Sequence, residues 1–197
     1  MNLSGASLND ERFVQDALAM LAAHPVAARQ LCMEITESVA LHDLDNTRRF
    51  IDQVRGCGVK IALDDFGAGY TSFSYLKELP ADVMKIDGSF IVDMNANPAN
   101  ITIVEAIVAL ASSLGMRTIA EWAEDQATVQ TLVELGVDYV QGYAVARPQK
   151  PDVLLTHTSA AGFIQDPLLR SYVLTLGLDA DTAGPELRDA MQFNRGS

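Results

Sequence analysis

Lys60-Ile61-Ala62-Leu63-Asp64-Asp65-Phe66-Gly67-Ala68-Gly69-Tyr70-Thr71-Ser72 carries the densest chemical signal in this chain. The apolar run 59–63 reads as a buried strand that ends in two adjacent carboxylates and a loop with two glycines. On a regular strand Asp64 and Asp65 point to opposite faces, but a turn into Gly67 and Gly69 brings both towards one cavity. Two acids at a strand end are costly without a cation, so the pair is a candidate metal site. An Asp pair also serves as a turn, or as a helix cap before Thr71 or Ser72. Recurrence of polar residues along the chain favours metal. Asn2, Glu34, Asp64, Asp65 and Glu121 form an oxygen-rich set without histidine or cysteine, which suits Mg²⁺, Mn²⁺ or Ca²⁺ rather than structural zinc. Converging carboxylates raise one another's pKa, and a bound ion keeps them charged. Two ions roughly 3.5–4 Å apart can clamp a phosphodiester for in-line attack. Lys85 is placed to orient the water or to stabilise charge developing on phosphate. Without metal it forms an ion pair with a neighbouring carboxylate.

These residues need elements to position them. Residues 2–4 read as the end of a strand, and 8–23 as a helix, with Phe13, Leu18 and Leu21 on a helical period and Pro25 closing it. Strand 31–35 and helix 43–54 follow, the helix stopped by Gly56 and Gly58. Next come strand 59–63, a short helix 72–79 ended by Pro80, strand 82–86 and helix 100–114 ending at Gly115. Strand 117–120, helix 125–135 and strand 139–141 complete the alternation, which Pro148 and Pro151 break. Residues 153–176 read as helical pieces, and 179–197 as a polar tail.

Strands alternating with helices imply an α/β fold of parallel strands, either an open doubly wound sheet or a closed barrel. Each strand delivers polar residues at its carboxyl end: Asn2; Glu34 and Glu37; Asp64 and Asp65; Lys85 and Asp87; Glu121 and Glu124; Gln141. An open sheet gathers its site at one switch point, whereas a (β/α) barrel draws on many strand ends. The distribution favours the barrel.

With 197 residues, 49% hydrophobic and 20% charged, the chain has the composition of a folded globular domain. A formal net charge of -12 argues against polymeric nucleic acid or anionic membrane as a partner, while a metal-filled pocket still attracts a phosphate ligand. Cys32 and Cys57 are too few for a disulfide framework, which fits a reducing cytoplasm. The longest apolar stretch, 101–116, contains Glu105 and is short for a membrane span. Met1 runs straight into Asn2-Leu3-Ser4 without a signal-peptide pattern.

The runs Leu31-Cys-Met-Glu-Ile-Thr-Glu37-Ser, Ile61 to Ser72, Met84-Lys-Ile-Asp87, Ala120-Glu-Trp-Ala-Glu124 and Val140-Gln-Gly-Tyr143 resemble, in order, the EAL domain of bacterial cyclic di-GMP phosphodiesterases. The resemblance covers residues 2–148. It implies a modified TIM (β/α) barrel that hydrolyses cyclic di-GMP to linear pGpG with two Mg²⁺ or Mn²⁺ ions. It further implies Asn2, Glu34, Asp64 and Asp65 as metal ligands, Glu121 as a further acid of the metal and water site, and Lys85 as the residue that positions or deprotonates the attacking water. Glu37 is implied to steady the loop 66–72, which the family uses near its dimer interface. Gln141 and Glu124 complete the wall of the site, and Tyr143 and Pro148 its ligand-side rim. A homodimer, and upstream sensory or GGDEF-type domains in a longer protein, are the partners implied besides cyclic di-GMP.

Two departures qualify the resemblance. The Glu-Ala-Leu strand that names the family and the strand before it belong upstream of Asn2, which leaves six of eight strands and one metal-ligand glutamate fewer. The expectation is a barrel domain over 1–157, truncated at its amino terminus, with a helical extension and polar tail over 158–197. Alone it is expected to hydrolyse cyclic di-GMP poorly or not at all, and turnover on the order of 1 s⁻¹ or faster would contradict this. The alternative is a non-catalytic module that binds cyclic di-GMP or a partner. The second departure is Trp122 in a place where the family has glycine, with Ala123 replacing a larger aliphatic. Its indole either stacks on a guanine or packs against the adjacent helix.

Overall fold

Six short strands pair side by side in chain order: β1 (Asn2–Leu3), β2 (Cys32–Thr36), β3 (Lys60–Phe66), β4 (Val83–Ile86), β5 (Arg117–Ala120) and β6 (Tyr139–Val140). The computed structural model describes residues 1–69 and 73–179. All five pairings are parallel, so every connection is a crossover, as expected of a (β/α) architecture. Among the described residues β1 and β6 are the two edges of the sheet.

Helices α1 (Gly5–Leu8), α2 (Glu11–Ala23) and α3 (Pro25–Ala28) lie between β1 and β2, and α4 (Glu37–His42) and α5 (Leu44–Gly56) between β2 and β3. A 3₁₀ segment, Phe73–Lys77, precedes β4. Two more, Gly88–Phe90 and Met94–Ala96, lead into α6 (Pro98–Ser113), and α7 (Gln126–Glu134) joins β5 to β6. Beyond the sheet lie α8 (Pro151–Leu154), a 3₁₀ turn at Ala160–Gly162 and α9 (Pro167–Asp179). Ile164 and Leu169 of this last part are buried in the same apolar cluster as the strands.

The pleat separates two kinds of residue. Register pairs Met33 with Ile61, Leu63 with Met84 and Ile86 with Ala120, and these side chains are almost fully buried with Ile51, Val54, Val104 and Leu132 from the helices. The opposite face carries Asn2, Glu34, Ala62, Asp64, Lys85, Ile119 and Tyr139, which register places side by side. One face is therefore core, and the other carries the candidate chemistry at its carboxyl end.

At the far end of the strands an aspartate device appears twice. Asp82, just before β4, accepts the Ile61 N–H at 2.9 Å and pairs with Arg55 at 3.1 Å and Lys60 at 3.5 Å. Asp138, just before β6, accepts the Thr118 N–H at 2.8 Å and pairs with Arg117 at 3.1 Å. Each fixes the register of neighbouring strands from below, which in turn fixes the side chains above.

The elements differ from the sequence expectation in several places. The helix expected over 8–23 divides because the Asp10 carboxylate accepts the Arg12 and Phe13 N–H groups at 2.9 and 3.2 Å and starts α2 afresh. Pro25 opens α3 as its first residue, where a missing N–H costs nothing. Helix α4 was not expected; the Thr36 hydroxyl caps it at the Val39 N–H, 3.4 Å away. The segment expected as a helix over 72–79 is 3₁₀ over Phe73–Lys77, with Ser72 outside the described residues.

Candidate metal centre and adjoining groove

The two aspartates belong to strand β3, which runs on to Phe66 rather than stopping at residue 63. Between Leu63, opposite Met84, and Phe66, opposite Ile86, β3 uses three residues where β4 uses two. That extra residue is a β-bulge, and Asp65 takes the left-handed conformation within it, at φ 54°. Aspartate tolerates this region better than most side chains. The bulge, rather than a turn at Gly67 and Gly69, gathers Asp64 and Asp65 at one end of the sheet and returns Phe66 to the core.

Lys85 stands opposite the bulge, only 4% exposed. Its Nζ lies 2.8 Å from Glu34 Oε2, 2.7 Å from Asp64 Oδ1 and 2.8 Å from Glu121 Oε1. One ammonium thus serves three carboxylates from three different strands or strand ends. Burial pulls the lysine pKa down, but the bonds to Asp64, Glu121 and Glu34 outweigh it and hold the net value well above the ordinary lysine range. Lys85 in this arrangement is a cation and cannot accept a proton.

Three acids converge closely enough for an ion. Carboxylate oxygens of Asp64, Asp65 and Glu121 all lie within 4.8 Å of one another. Asp64 Oδ1 is fully buried, with the Lys85 ammonium 2.7 Å away. A buried anionic oxygen within an all-oxygen donor set fits a hard divalent cation. Glu34 reaches this group through the Lys85 ammonium, and Asn2 is its register neighbour on β1, with an exposed side chain.

Burial raises the Glu121 pKa, which Lys85 pulls back down and Asp64 and Asp65 raise further. Burial also raises that of Asp65, with Asp64 and Asp87 adding to it. These groups take up protons at a higher pH than ordinary carboxylates, and a metal requires them ionised. Affinity for Mn²⁺ is therefore expected to decline with falling pH through a window that begins above the usual carboxylate range. Titrations at a series of pH values test this; affinity that stays flat down to the ordinary carboxylate range contradicts it. In the metal-free chain the same shifts act on stability in the opposite sense: their contribution is full at low pH and lost as pH rises through the folded values.

Glu37, the first residue of α4 and 4% exposed, faces the loop after β3. Its Oε1 accepts the Tyr75 hydroxyl at 2.6 Å and its Oε2 the Gly67 N–H at 3.3 Å, so one carboxylate holds residues on both sides of the loop. Burial, then the bond to Glu37, raises the Tyr75 pKa far above its usual range. Tyr75 escaped sequence reasoning, since nothing local distinguishes it from a core tyrosine. The expected roles of Tyr70, Thr71 and Ser72 in this loop fall outside the described residues.

Gln141, Glu124, Tyr143 and Pro148 do come together, with Trp122 and Arg147, around a groove of about 620 Å³. Backbone bonds build it: the Gln141 N–H donates to the Ala120 carbonyl at 2.8 Å, the Ala123 N–H to the Gln141 carbonyl at 3.2 Å, and the Ala144 N–H to the Ala123 carbonyl at 3.0 Å. Only glycine fits at 142, because a Cβ there falls 2.1 Å from the Ala123 carbonyl oxygen. The Arg147 guanidinium sits 4.3 Å from the Tyr143 ring centroid, a cation–π pair that the four-residue spacing does not by itself reveal. Trp122 packs against Gly88 of a 3₁₀ turn.

The model of the EAL domain family matches residues 1–148. The chain belongs to the EAL domain family. Over 149 residues, 76% of this chain, it is 38% identical to the cyclic di-GMP phosphodiesterase PdeB of Shewanella oneidensis and 38% identical to the cyclic di-GMP phosphodiesterase PdeF of Escherichia coli. The matches span 17% and 20% of those relatives' lengths. Among solved structures, the EAL domain of Mycobacterium smegmatis DcpA superposes with a TM-score of 0.74 at 35% identity, covering 79% of this chain and 70% of that one. The PaMucR phosphodiesterase in complex with c-di-GMP gives 0.72 at 37% identity, covering 78% and 62%. The EAL barrel thus accounts for the six parallel strands, and no helix among the described residues is long and apolar enough to cross a membrane.

Proposed function

We propose that this chain carries the catalytic centre of a cyclic di-GMP phosphodiesterase, cleaving one phosphodiester bond to give linear pGpG. The observation that carries this reading is the convergence of Asp64, Asp65 and Glu121 in an EAL domain related to named phosphodiesterases. Asp64, Asp65 and Glu121, with Glu34 and Asn2 beside them, would hold two Mg²⁺ or Mn²⁺ ions. Such ions supply Lewis acidity at the phosphate and at the attacking water.

The protein's own part centres on Lys85. Its charge is maintained against burial only by three carboxylates. Were those carboxylates to ligate ions they would hold the ammonium less strongly, and Lys85 would position the attacking water and accept its proton. Glu37 fixes the loop after β3 through Gly67 and Tyr75, and so fixes Asp65 at the bulge. Gln141, Glu124, Tyr143 and Pro148 orient the ligand from the groove. We further place this activity in the cytoplasm and in a homodimer. An apolar depression beside the loop, lined by Phe66, Gly67, Phe90, Ile103 and Ile107, supports the dimer, and sedimentation at micromolar concentration tests it.

One observation favours a second reading, a module that binds cyclic di-GMP without cleaving it: the Lys85 ammonium already pairs with Glu34, Asp64 and Glu121. Chromatography of cyclic di-GMP incubated with the chain and Mg²⁺ separates the two. Slow formation of linear pGpG that disappears with a chelator is the expected result. Binding without product transfers the assignment to the second reading.

A further inference from the structure

Among the described residues, Trp122 is the bulky side chain held at a strained, positive φ beside the acid cluster. Trp122 directly follows Glu121 of the acid cluster and holds φ at 58°, a left-handed conformation that costs glycine nothing and tryptophan something. The residue is 57% exposed, although a large apolar side chain is ordinarily mostly buried. Its position is nonetheless defined: a Cβ on Gly88 would fall 2.1 Å from indole Cδ2 and 2.4 Å from Cγ, so the ring lies hard against that glycine's backbone. The result is an aromatic plate backed by main chain and open to the groove of about 620 Å³ that it shares with Glu124, Gln141, Tyr143 and Arg147. A cavity of that size suits a nucleotide-sized ligand.

We propose that Trp122 is a base-stacking, affinity-determining residue of this chain, its indole taking one guanine of the dinucleotide. The proposal rests on the cyclic di-GMP reading above. A planar purine matches the open indole face, and stacking on an aromatic side chain is a recurrent way to hold an unpaired base. The polar edge of the base then meets groups in the same groove: the Glu124 carboxylate accepts from a guanine N–H edge, and the Gln141 amide donates and accepts. Because Glu121 is the preceding residue, a base on this plate leaves its phosphate near the acid cluster. Strain at 122 is thus coupled to a gain at the ligand, and a tryptophan serving only as packing would not need its exposed face.

Trp122 is the only tryptophan of the chain, which makes the test direct. Cyclic di-GMP is titrated into the full chain with a chelator present, so that hydrolysis adds no heat, following heat and tryptophan emission, and the heat titration is repeated with Trp122→Gly and Trp122→Phe. Glycine relaxes the left-handed backbone, so Trp122→Gly is expected to melt no lower than the wild type. Its dissociation constant is expected to rise about tenfold to a hundredfold, the range typical of losing one base stack. Trp122→Phe should stay within about threefold of the wild type, and wild-type emission should be quenched at saturation. Equal affinity of wild type and Trp122→Gly overturns the proposal, as does unquenched emission on binding. Trp122→Phe as weak as Trp122→Gly also overturns it, since a stack survives that exchange. If the wild type binds no cyclic di-GMP at all, the ligand assignment itself fails and takes the stacking role with it.

Discussion

Asp64→Asn is expected to abolish metal-dependent formation of pGpG and to weaken Mn²⁺ binding by at least about a hundredfold, beyond the usual cost of losing a partner outside the coordination sphere. Asparagine keeps the shape of the side chain but withdraws a charged ligand from the point where three acids meet. The fold should hardly notice. Lys85 faces three carboxylates and keeps Glu34 and Glu121 when Asp64 is neutralised, so no buried charge is left alone. A stability change under about 1 kcal/mol is expected, on the scale of an exchanged polar contact. Chromatographic assay and a metal titration of the variant test this. Product at the wild-type rate, or a collapsed fold, contradicts it.

Lys85→Met should do the reverse, damaging the fold first. Three carboxylates of low exposure then face one another with no cation, a situation that costs about 3–5 kcal/mol when one partner of a buried ion pair is removed. For a chain of this size that lowers the melting temperature on the order of 10 °C. The linkage has a definite sign. A lysine whose folded pKa is raised stabilises fully below its ordinary value and loses that contribution as pH rises through the folded value, so the whole effect is present at neutral pH. A divalent ion can replace the missing charge, and Mg²⁺ should therefore raise the melting temperature of Lys85→Met more than that of the wild type. Turnover should not recover, because the ion restores charge without restoring the amine. A melting temperature within about 2 °C of the wild type, or one indifferent to Mg²⁺, contradicts this view of the site.

Local pattern made the strands and their order legible. Met33 with Ile35, Ile61 with Leu63 and Met84 with Ile86 alternate with Glu34, Ala62 and Lys85, so apolar runs ending in polar residues marked both the sheet and its functional end. What stayed hidden depends on pairing between strands. The bulge at Asp65 exists only in the register of β3 against β4, and no property of Asp64-Asp65 alone predicts an extra residue there. Lys85 was placed on the right face, but its threefold pairing depends on side-chain reach across β2, β3 and the end of β5. Trp122 was expected to choose between a guanine and a helix, because its cradle, Gly88, lies on a different crossover. Helix α4 was missed because its cap, Thr36, is also the last residue of β2.

The central claim is that Asp64, Asp65 and Glu121 hold a divalent ion, and calorimetric titration of Mn²⁺ into the full chain at neutral pH tests it most directly. Saturable binding that Asp64→Asn largely removes is the predicted result. Absence of saturable binding into the millimolar range, where the affinity scale places only weak contacts of about 4 kcal/mol, would mean that Lys85 alone satisfies these acids and that the site holds no metal.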